Sequence, residues 1–130
     1  MRKVVHFEIP SDDLERAKKF YSTVFEWELQ DWPLPDGSVY VGARSVKIDE
    51  KTQTPLEPGA INGGIMQRTP EAPHPIITMN VPSIDESIKT IEKAGGSVVT
   101  PRTNVMDMGF YAYVKDTEGN TIGLWEDIKK

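Results

Sequence analysis

The sequence predicts an α+β fold of two tandem βαβββ modules. A strand-like alternation followed by a helical stripe occurs twice, and a shift of seventy positions places Phe7 on Ile77 and Leu14 on Ile84. One such module alone would leave its apolar face uncovered, so we expect the two to share a core. The predicted organisation is one domain over residues 1–130, with module one at 1–69, a linker at 69–75 and module two at 76–130.

The composition is that of an ordinary globular domain. Of 130 residues, 38% are hydrophobic and 27% charged, which suffices for a single core. The net charge of −5 argues against nucleic-acid and anionic-membrane partners. The absence of cysteine excludes a disulfide framework and a thiolate nucleophile. No signal peptide or membrane span is predicted, so we expect a cytoplasmic protein.

The opening strand has two chemically different faces. Residues 3–9 alternate, so Phe7 and Ile9 point to one side while His6 and Glu8 point to the other. The apolar side is expected to pack against a helix. The second side is expected to line a more open space.

An amphipathic helix follows the first strand of each module. In module one, Asp12 is predicted to cap the helix, and Glu15 completes a capping box. Ser83 and Glu86 have these roles in module two, where Gly95 follows the helix as part of a Gly-Gly pair. Both helices carry an apolar stripe at helical spacing, so each should cover one face of its sheet.

The other strands are short alternating runs bounded by turn residues. They are predicted at residues 27–32, 38–43, 61–68, 76–81, 97–100, 109–115 and 121–126. Residues 47–60 and 101–108 are predicted to be loops, the second containing Met106, Asp107 and Met108. A tight Asp-x-x-Gly-Asn turn at residues 116–120 precedes the last strand.

One face of the last strand is predicted to adjoin open space. Gly123 and Trp125 share it by parity, and Gly123 leaves space beside the indole. Trp125 is therefore predicted to contact a ligand, because aromatic walls suit flat or apolar molecules. Tyr111 and Tyr113 lie on one face of their own strand, and the sequence leaves open which face that is.

The chain resembles the vicinal oxygen chelate superfamily, which includes glyoxalase I, bleomycin-resistance proteins and extradiol dioxygenases. The resemblance covers nearly the whole chain and implies paired βαβββ modules with a curved sheet around a cleft and helices outside. For small members it also implies a symmetric homodimer. The residues that carry it, in order, are His6-Phe-Glu-Ile9, Asp13-Leu-Glu-Arg-Ala17, Phe20-Tyr21, Gly95-Gly96 and Asp116-x-x-Gly-Asn120.

Metal-dependent members of this superfamily place one ligand on each of four strands. By this resemblance His6 matches the first ligand position, while Ile76 and Gly123 stand at the second and the last. The strand at 61–68, expected to carry the remaining ligand, has no acidic residue. Side chains of glycine and isoleucine cannot coordinate a metal, so we expect no metal and no other cofactor.

An alternative metal site would use two imidazoles and one carboxylate. By parity, His6, Glu8 and His74 could supply these ligands to Ni, Zn, Fe or Mn.

We expect a protein that binds a small organic molecule in its cleft, as bleomycin-resistance proteins do. The predicted ligand-binding residues are Trp125, Tyr111, Tyr113, Thr78 and Tyr40. His6 and Glu8 are the candidates for acid–base catalysis, because an imidazole or a desolvated carboxylate can exchange protons near neutral pH.

Two other interpretations stay open. The first is a metal-dependent glyoxalase-like lyase or isomerase, related to lactoylglutathione lyase, in which a metal polarises two neighbouring oxygens and a carboxylate moves a proton. The second is a homodimer that acts through protein contacts. Whether the protein is an enzyme at all also stays open.

Overall fold

The computed structural model describes residues 1–128, which divide into two compact units. The N-terminal unit comprises His6–Thr69 and Pro73–Pro75. The C-terminal unit comprises Met1–Val5, Pro70–Ala72 and the chain from Ile76 onwards. The last two residues of the predicted module two lie outside the described part of the chain.

The N-terminal unit has βαβββ order with a short extra hairpin. Its strand order in the sheet is β2-β3-β6-β1, with β1 and β6 parallel and the other neighbours antiparallel. Strands β4 and β5 pair only with each other. The elements are β1 (Val4–Ser11, whose first two residues are assigned to the C-terminal unit), α1 (Leu14–Val24), β2 (Glu28–Pro33), β3 (Val39–Arg44), β4 (Ile48–Asp49), β5 (Thr54–Pro55) and β6 (Asn62–Gln67).

The C-terminal unit repeats this topology. Its strand order is β7-β10-β9-β8, with a parallel β7/β10 pair in the place of β1/β6. The predicted α+β class with two βαβββ modules is therefore confirmed. The elements are β7 (Ile76–Asn80), α2 (Ile84–Lys93), β8 (Ser97–Val105), β9 (Gly109–Lys115) and β10 (Thr121–Asp127).

Each helix covers one face of its own sheet. In the N-terminal unit, side chains of α1 pack against a buried cluster of Val41, Ala43 and Ile65. In the C-terminal unit, Ile84 at the start of α2 belongs to a cluster that includes Leu124. Because strand side chains alternate, the opposite face of each sheet carries a different set of residues.

The helix boundaries agree with the sequence except at one cap. Asp13, rather than Asp12, caps α1, because its Oδ1 accepts the Arg16 N–H at 3.0 Å. Asp12 instead forms an ion pair with Arg68 at 2.8 Å. The prediction for Ser83 is confirmed, since its hydroxyl accepts the backbone N–H of the third helical residue of α2 at 3.2 Å.

The predicted loop at 101–108 is wrong for most of its length. Strand β8 continues to Val105, and only Met106, Asp107 and Met108 form a turn, the first two with positive φ. The register with β9 shifts between Val98 and Thr103. Pro101 lies in this irregular stretch, where a missing backbone N–H costs no ladder hydrogen bond. The predicted loop at 47–60 likewise contains the β4/β5 hairpin.

Neither of the two helices within residues 1–128 has the length and apolarity that crossing a lipid bilayer requires.

Candidate functional site

One face of the N-terminal sheet brings three predicted site residues together. The register pairs Glu8 with Gly64 and Gly64 with Gly42 across β1, β6 and β3. Laterally paired residues share a face, so His6, Glu8 and Tyr40 all lie opposite the face that α1 covers. This agrees with the parity predicted for the opening strand.

His6, Tyr40 and Glu8 form a continuous hydrogen-bonded chain. The Tyr40 hydroxyl donates to Glu8 Oε2 at 2.7 Å, and His6 Nε2 lies 2.8 Å from the same hydroxyl oxygen. The Glu8 residue is only 9% exposed. A buried carboxylate needs such partners, because burying it without hydrogen bonds is costly.

Gly64 makes this chain possible. The Tyr40 side chain starts on β3 and crosses β6 to reach β1, so its ring lies directly over Gly64. A methyl group at that position would overlap the ring and the phenolic oxygen. Gly64 therefore permits the close approach of an aromatic ring to the backbone of β6.

The pKa of the His6 imidazole is lowered from its ordinary value, mainly because burial disfavours the charged form. The nearby Glu8 carboxylate opposes this effect and raises the pKa of His6. Because burial dominates, we expect a neutral imidazole at pH 7.

Trp32 extends the aromatic surface of this face and was missed by the sequence analysis. It is the register partner of Tyr40 across β2 and β3, and it is 39% exposed. Its indole lies over Gly42, with Nε1 at 3.0 Å from where a methyl group on that glycine would be. The signal was available, since Trp32 ends the predicted strand at 27–32, and the next predicted strand, at 38–43, contains Tyr40.

The C-terminal unit carries the other predicted ligand-binding residues on one face. The register pairs Trp125 with Tyr111, and Gly123 with both Tyr113 and Thr78. All of these lie opposite the face that α2 covers. The two tyrosines are therefore on the side of Trp125, which resolves the orientation that the sequence left open. Their role as ligand-binding residues stays a prediction.

The space predicted beside Trp125 is not open. The Thr78 side chain occupies it, since a methyl group on Gly123 would overlap Thr78 Oγ1. The Trp125 indole instead lies over Gly109, and its Nε1 donates to Asp127 Oδ1 at 3.0 Å. The prediction of open space beside the Trp125 indole was therefore wrong. The indole N–H of Trp125 already has a hydrogen-bond acceptor in Asp127.

The residues at the four ligand positions do not fit a metal. Ile76 is 2% exposed and apolar, and Gly123 has no side chain. The alternative set of His6, Glu8 and His74 is not assembled either. Within residues 1–128 no three His, Asp or Glu side chains form a group that could hold a metal ion, and His74 is exposed.

The two units have equivalent positions with different chemistry. In each unit, a first-strand residue on the face opposite the helix is paired with a glycine on the parallel neighbouring strand. Only the N-terminal unit has ionisable side chains at the first-strand positions. The equivalent pairs are His6 and Ile76, Glu8 and Thr78, Tyr40 and Tyr111, and Gly64 and Gly123.

Comparison with known proteins identifies related sequences. A family model described as "Bleomycin resistance protein-like N-terminal" matches residues 3–41. A "Glyoxylase-like domain-containing protein" of Didymella fabae is 31% identical over a match 122 positions long that covers 88% of this chain and 85% of that protein. "Putative glyoxylase CFP32" of Mycobacterium tuberculosis is 30% identical over 92% of this chain. The match covers only 43% of that mycobacterial protein, so the chain spans less than half of its length.

Solved structures show the same fold. A hypothetical protein, BH1468 from Bacillus halodurans, superposes with a TM-score of 0.69 at 15% identity, over 99% of this chain and 96% of that one. Methylmalonyl-CoA epimerase from Mycobacterium tuberculosis superposes with a TM-score of 0.65 at 16% identity, over 97% and 88% of the two chains. At these identities the likeness concerns the fold alone.

Proposed function

Because this chain belongs to the glyoxylase-like proteins of the vicinal oxygen chelate superfamily, we propose that it binds a small organic molecule on the face of the N-terminal sheet that carries His6, Tyr40 and Glu8. The observation that carries this proposal is the hydrogen-bonded chain of these three side chains. Because one fold can host many activities, the function has to be inferred from the residues of the site and not from the fold.

The chemistry of this face suits an organic ligand. Tyr40 and Trp32 lie over glycines, so their rings follow the sheet surface and can stack on a flat group. His6 and Glu8 add polar atoms beside these rings. Binding sites for small molecules commonly combine a few placed polar groups with aromatic surface.

We propose that binding requires no metal. This part of the proposal rests on the residues at the four ligand positions. Ile76 and Gly123, at two of them, have no side-chain atom that can donate an electron pair to a metal.

A compound screen with matched variants tests the proposal. We expect ligands found by thermal shift to bind Tyr40→Phe more weakly, because His6 and Glu8 lose their shared partner. Tyr21→Phe is the matched control, since Tyr21 packs with α1 against the core of the same unit. Equal dissociation constants for the parent and Tyr40→Phe would remove this face from the site. Trp32→Ala and Trp125→Ala then show which tryptophan contacts the ligand.

A second candidate is a metal-dependent glyoxalase-like lyase or isomerase. The glyoxylase names of relatives that are 30% and 31% identical favour it. It predicts near-stoichiometric Ni, Zn, Fe or Mn in the purified protein and loss of that metal in His6→Ala. Metal-free protein that binds its ligand with undiminished affinity would contradict this candidate.

We further propose a homodimer, because small members of the superfamily are expected to assemble in this way. Light scattering coupled to gel filtration measures the mass directly. A species with the mass of one chain at all concentrations would contradict the proposal.

A further inference from the structure

We propose that the anchoring contact in this site is a hydrogen bond accepted by His6 Nδ1, so that the ligand is a neutral or cationic organic molecule with an N–H or O–H donor. This inference rests on the proposed function, because it assigns the ligand class of the same site. It follows from a count of protons along the His6–Tyr40–Glu8 chain.

The Tyr40 hydroxyl has a single proton. That proton is donated to Glu8 Oε2 at 2.7 Å, so the hydroxyl cannot also donate to His6. The 2.8 Å contact with His6 Nε2 must then have the imidazole as donor. A neutral imidazole with its proton on Nε2 has a free electron pair on Nδ1. The chain therefore fixes one tautomer, with Nδ1 as the acceptor.

The free electron pair is accessible. Within residues 1–128 no protein group donates a hydrogen bond to His6 Nδ1. In that same range, every side-chain nitrogen or oxygen that is fully buried has a hydrogen-bond partner. Nδ1 must therefore reach the surface of the site, although most of the imidazole is covered. An accessible acceptor on a covered ring is suited to a directed contact with a ligand.

The local charge determines which ligands fit this acceptor. Burial keeps the imidazole neutral by lowering its pKa, and Glu8 beside it is a carboxylate. An anionic group would meet an electron pair and a negative charge, with no hydrogen to share. A neutral or cationic donor satisfies Nδ1, and an aromatic ring attached to it can stack on Trp32, which is 39% exposed.

The tautomer can be measured without a ligand. We would label the histidine nitrogens with ¹⁵N and record long-range ¹H–¹⁵N correlations at pH 7.5. His74 serves as the internal reference, because the chain has only two histidines and His74 is exposed. We expect His6 Nδ1 to resonate as an unprotonated nitrogen and Nε2 as a protonated one. In Tyr40→Phe the signals should move towards a mixture of tautomers, whereas in Tyr21→Phe they should not.

Two results of this experiment would overturn the assignment. One is a proton on Nδ1 in the parent protein. The other is an unchanged His6 tautomer in a folded Tyr40→Phe variant, with folding checked from the amide spectrum.

The ligand class is tested with pairs of probes that differ in one donor. Phenol and anisole form one pair, and aniline and N,N-dimethylaniline form another. Dissociation constants from chemical-shift titrations should be about three- to tenfold lower for the member with the donor, as one net hydrogen bond allows. Tyr40→Phe should reduce this preference, and Tyr21→Phe should retain it.

The outcomes separate the two proposals. Equal affinity for both members of each pair, or tighter binding of benzoate than of phenol, overturns the ligand class and leaves the proposed function standing. Failure of every probe to perturb His6 or Trp32 at millimolar concentration counts against the proposed function and the ligand class together.

Discussion

The ring of Tyr40 lies over the backbone of Gly64, and this contact places its hydroxyl within hydrogen-bonding distance of two residues on a strand beyond the neighbouring one. A side chain that leans across a sheet in this way needs a strand position without a Cβ. Gly64 therefore contributes to the site through its lack of a side chain.

Gly64→Ala should disrupt the site and destabilise the protein. The added methyl group overlaps the Tyr40 ring, which must move away from His6 and Glu8. We expect a loss of about 1–3 kcal/mol in the free energy of unfolding, as for other overpacked positions, together with weaker ligand binding. Urea unfolding measures the first effect and titration the second.

Gly42→Ala is the matched control for this prediction. Its nearest neighbour is the tip of the partly exposed Trp32 indole at 3.0 Å, which can shift outwards. We expect a change of roughly 0.5 kcal/mol or less, as at ordinary surface positions. Equal costs at both glycines would show that Tyr40 does not depend on Gly64.

His6 should make stability depend on pH in mildly acidic solution. Its folded-state pKa lies below the ordinary value of 6.5, so the unfolded chain binds more protons between these two values. Stability is therefore complete above pH 6.5 and falls as the pH drops from 6.5 to the folded-state pKa. His6→Gln should flatten the curve in this window, whereas Tyr21→Phe, which keeps His6, should not. Asp36 and Asp116 act in a separate window, because their pKa values are lowered from 3.8.

Glu126→Ala should weaken the start of α2. Glu126 Oε1 accepts the backbone N–H of Ile84 at 2.7 Å, and Ile84 is fully buried. Removal of this acceptor leaves a buried donor without a partner, which costs about 1–3 kcal/mol. Glu86→Ala, which breaks an exposed ion pair with Lys89, should cost at most about 0.5 kcal/mol. Comparable melting temperatures for the two variants would contradict the role of Glu126.

Ile84→Ala tests the assignment of the helix face. Ile84 is fully buried in the C-terminal core, so the truncation should cost about 2–5 kcal/mol in the free energy of unfolding. Ile77, on β7, is 46% exposed, and its replacement by alanine should change stability by no more than about 0.5 kcal/mol. Thermal unfolding followed by circular dichroism distinguishes these outcomes.

The repeat in the sequence was enough to predict the fold, because hydrophobic periodicity and capping signals are local. The cap of α1 was placed one residue too early, since two adjacent aspartates offer the same capping chemistry in the sequence, and the extended backbone of Asp13 makes it the cap. The strand predicted at 97–100 was too short, because the composition of residues 101–108 suggests a loop. The pairing of β8 with β9, which extends the strand, cannot be read from local sequence.

The candidate site was predicted only in part, because its contacts join residues that are far apart in the sequence. Parity along one strand places His6 and Glu8 together. The link between them through Tyr40 depends on a glycine fifty-six residues after Glu8, a contact that no local pattern encodes. The space expected beside Trp125 was misjudged because the sequence does not show that Thr78 fills the space at Gly123.

The matching positions of Tyr40 with Tyr111 and Gly64 with Gly123 have a consequence for redesign. The second half keeps the tyrosine and the glycine but lacks the histidine and the glutamate. Ile76→His combined with Thr78→Glu would place the missing pair on the strand beside the equivalent glycine, and the engineered molecule would then contain the same four residue types twice.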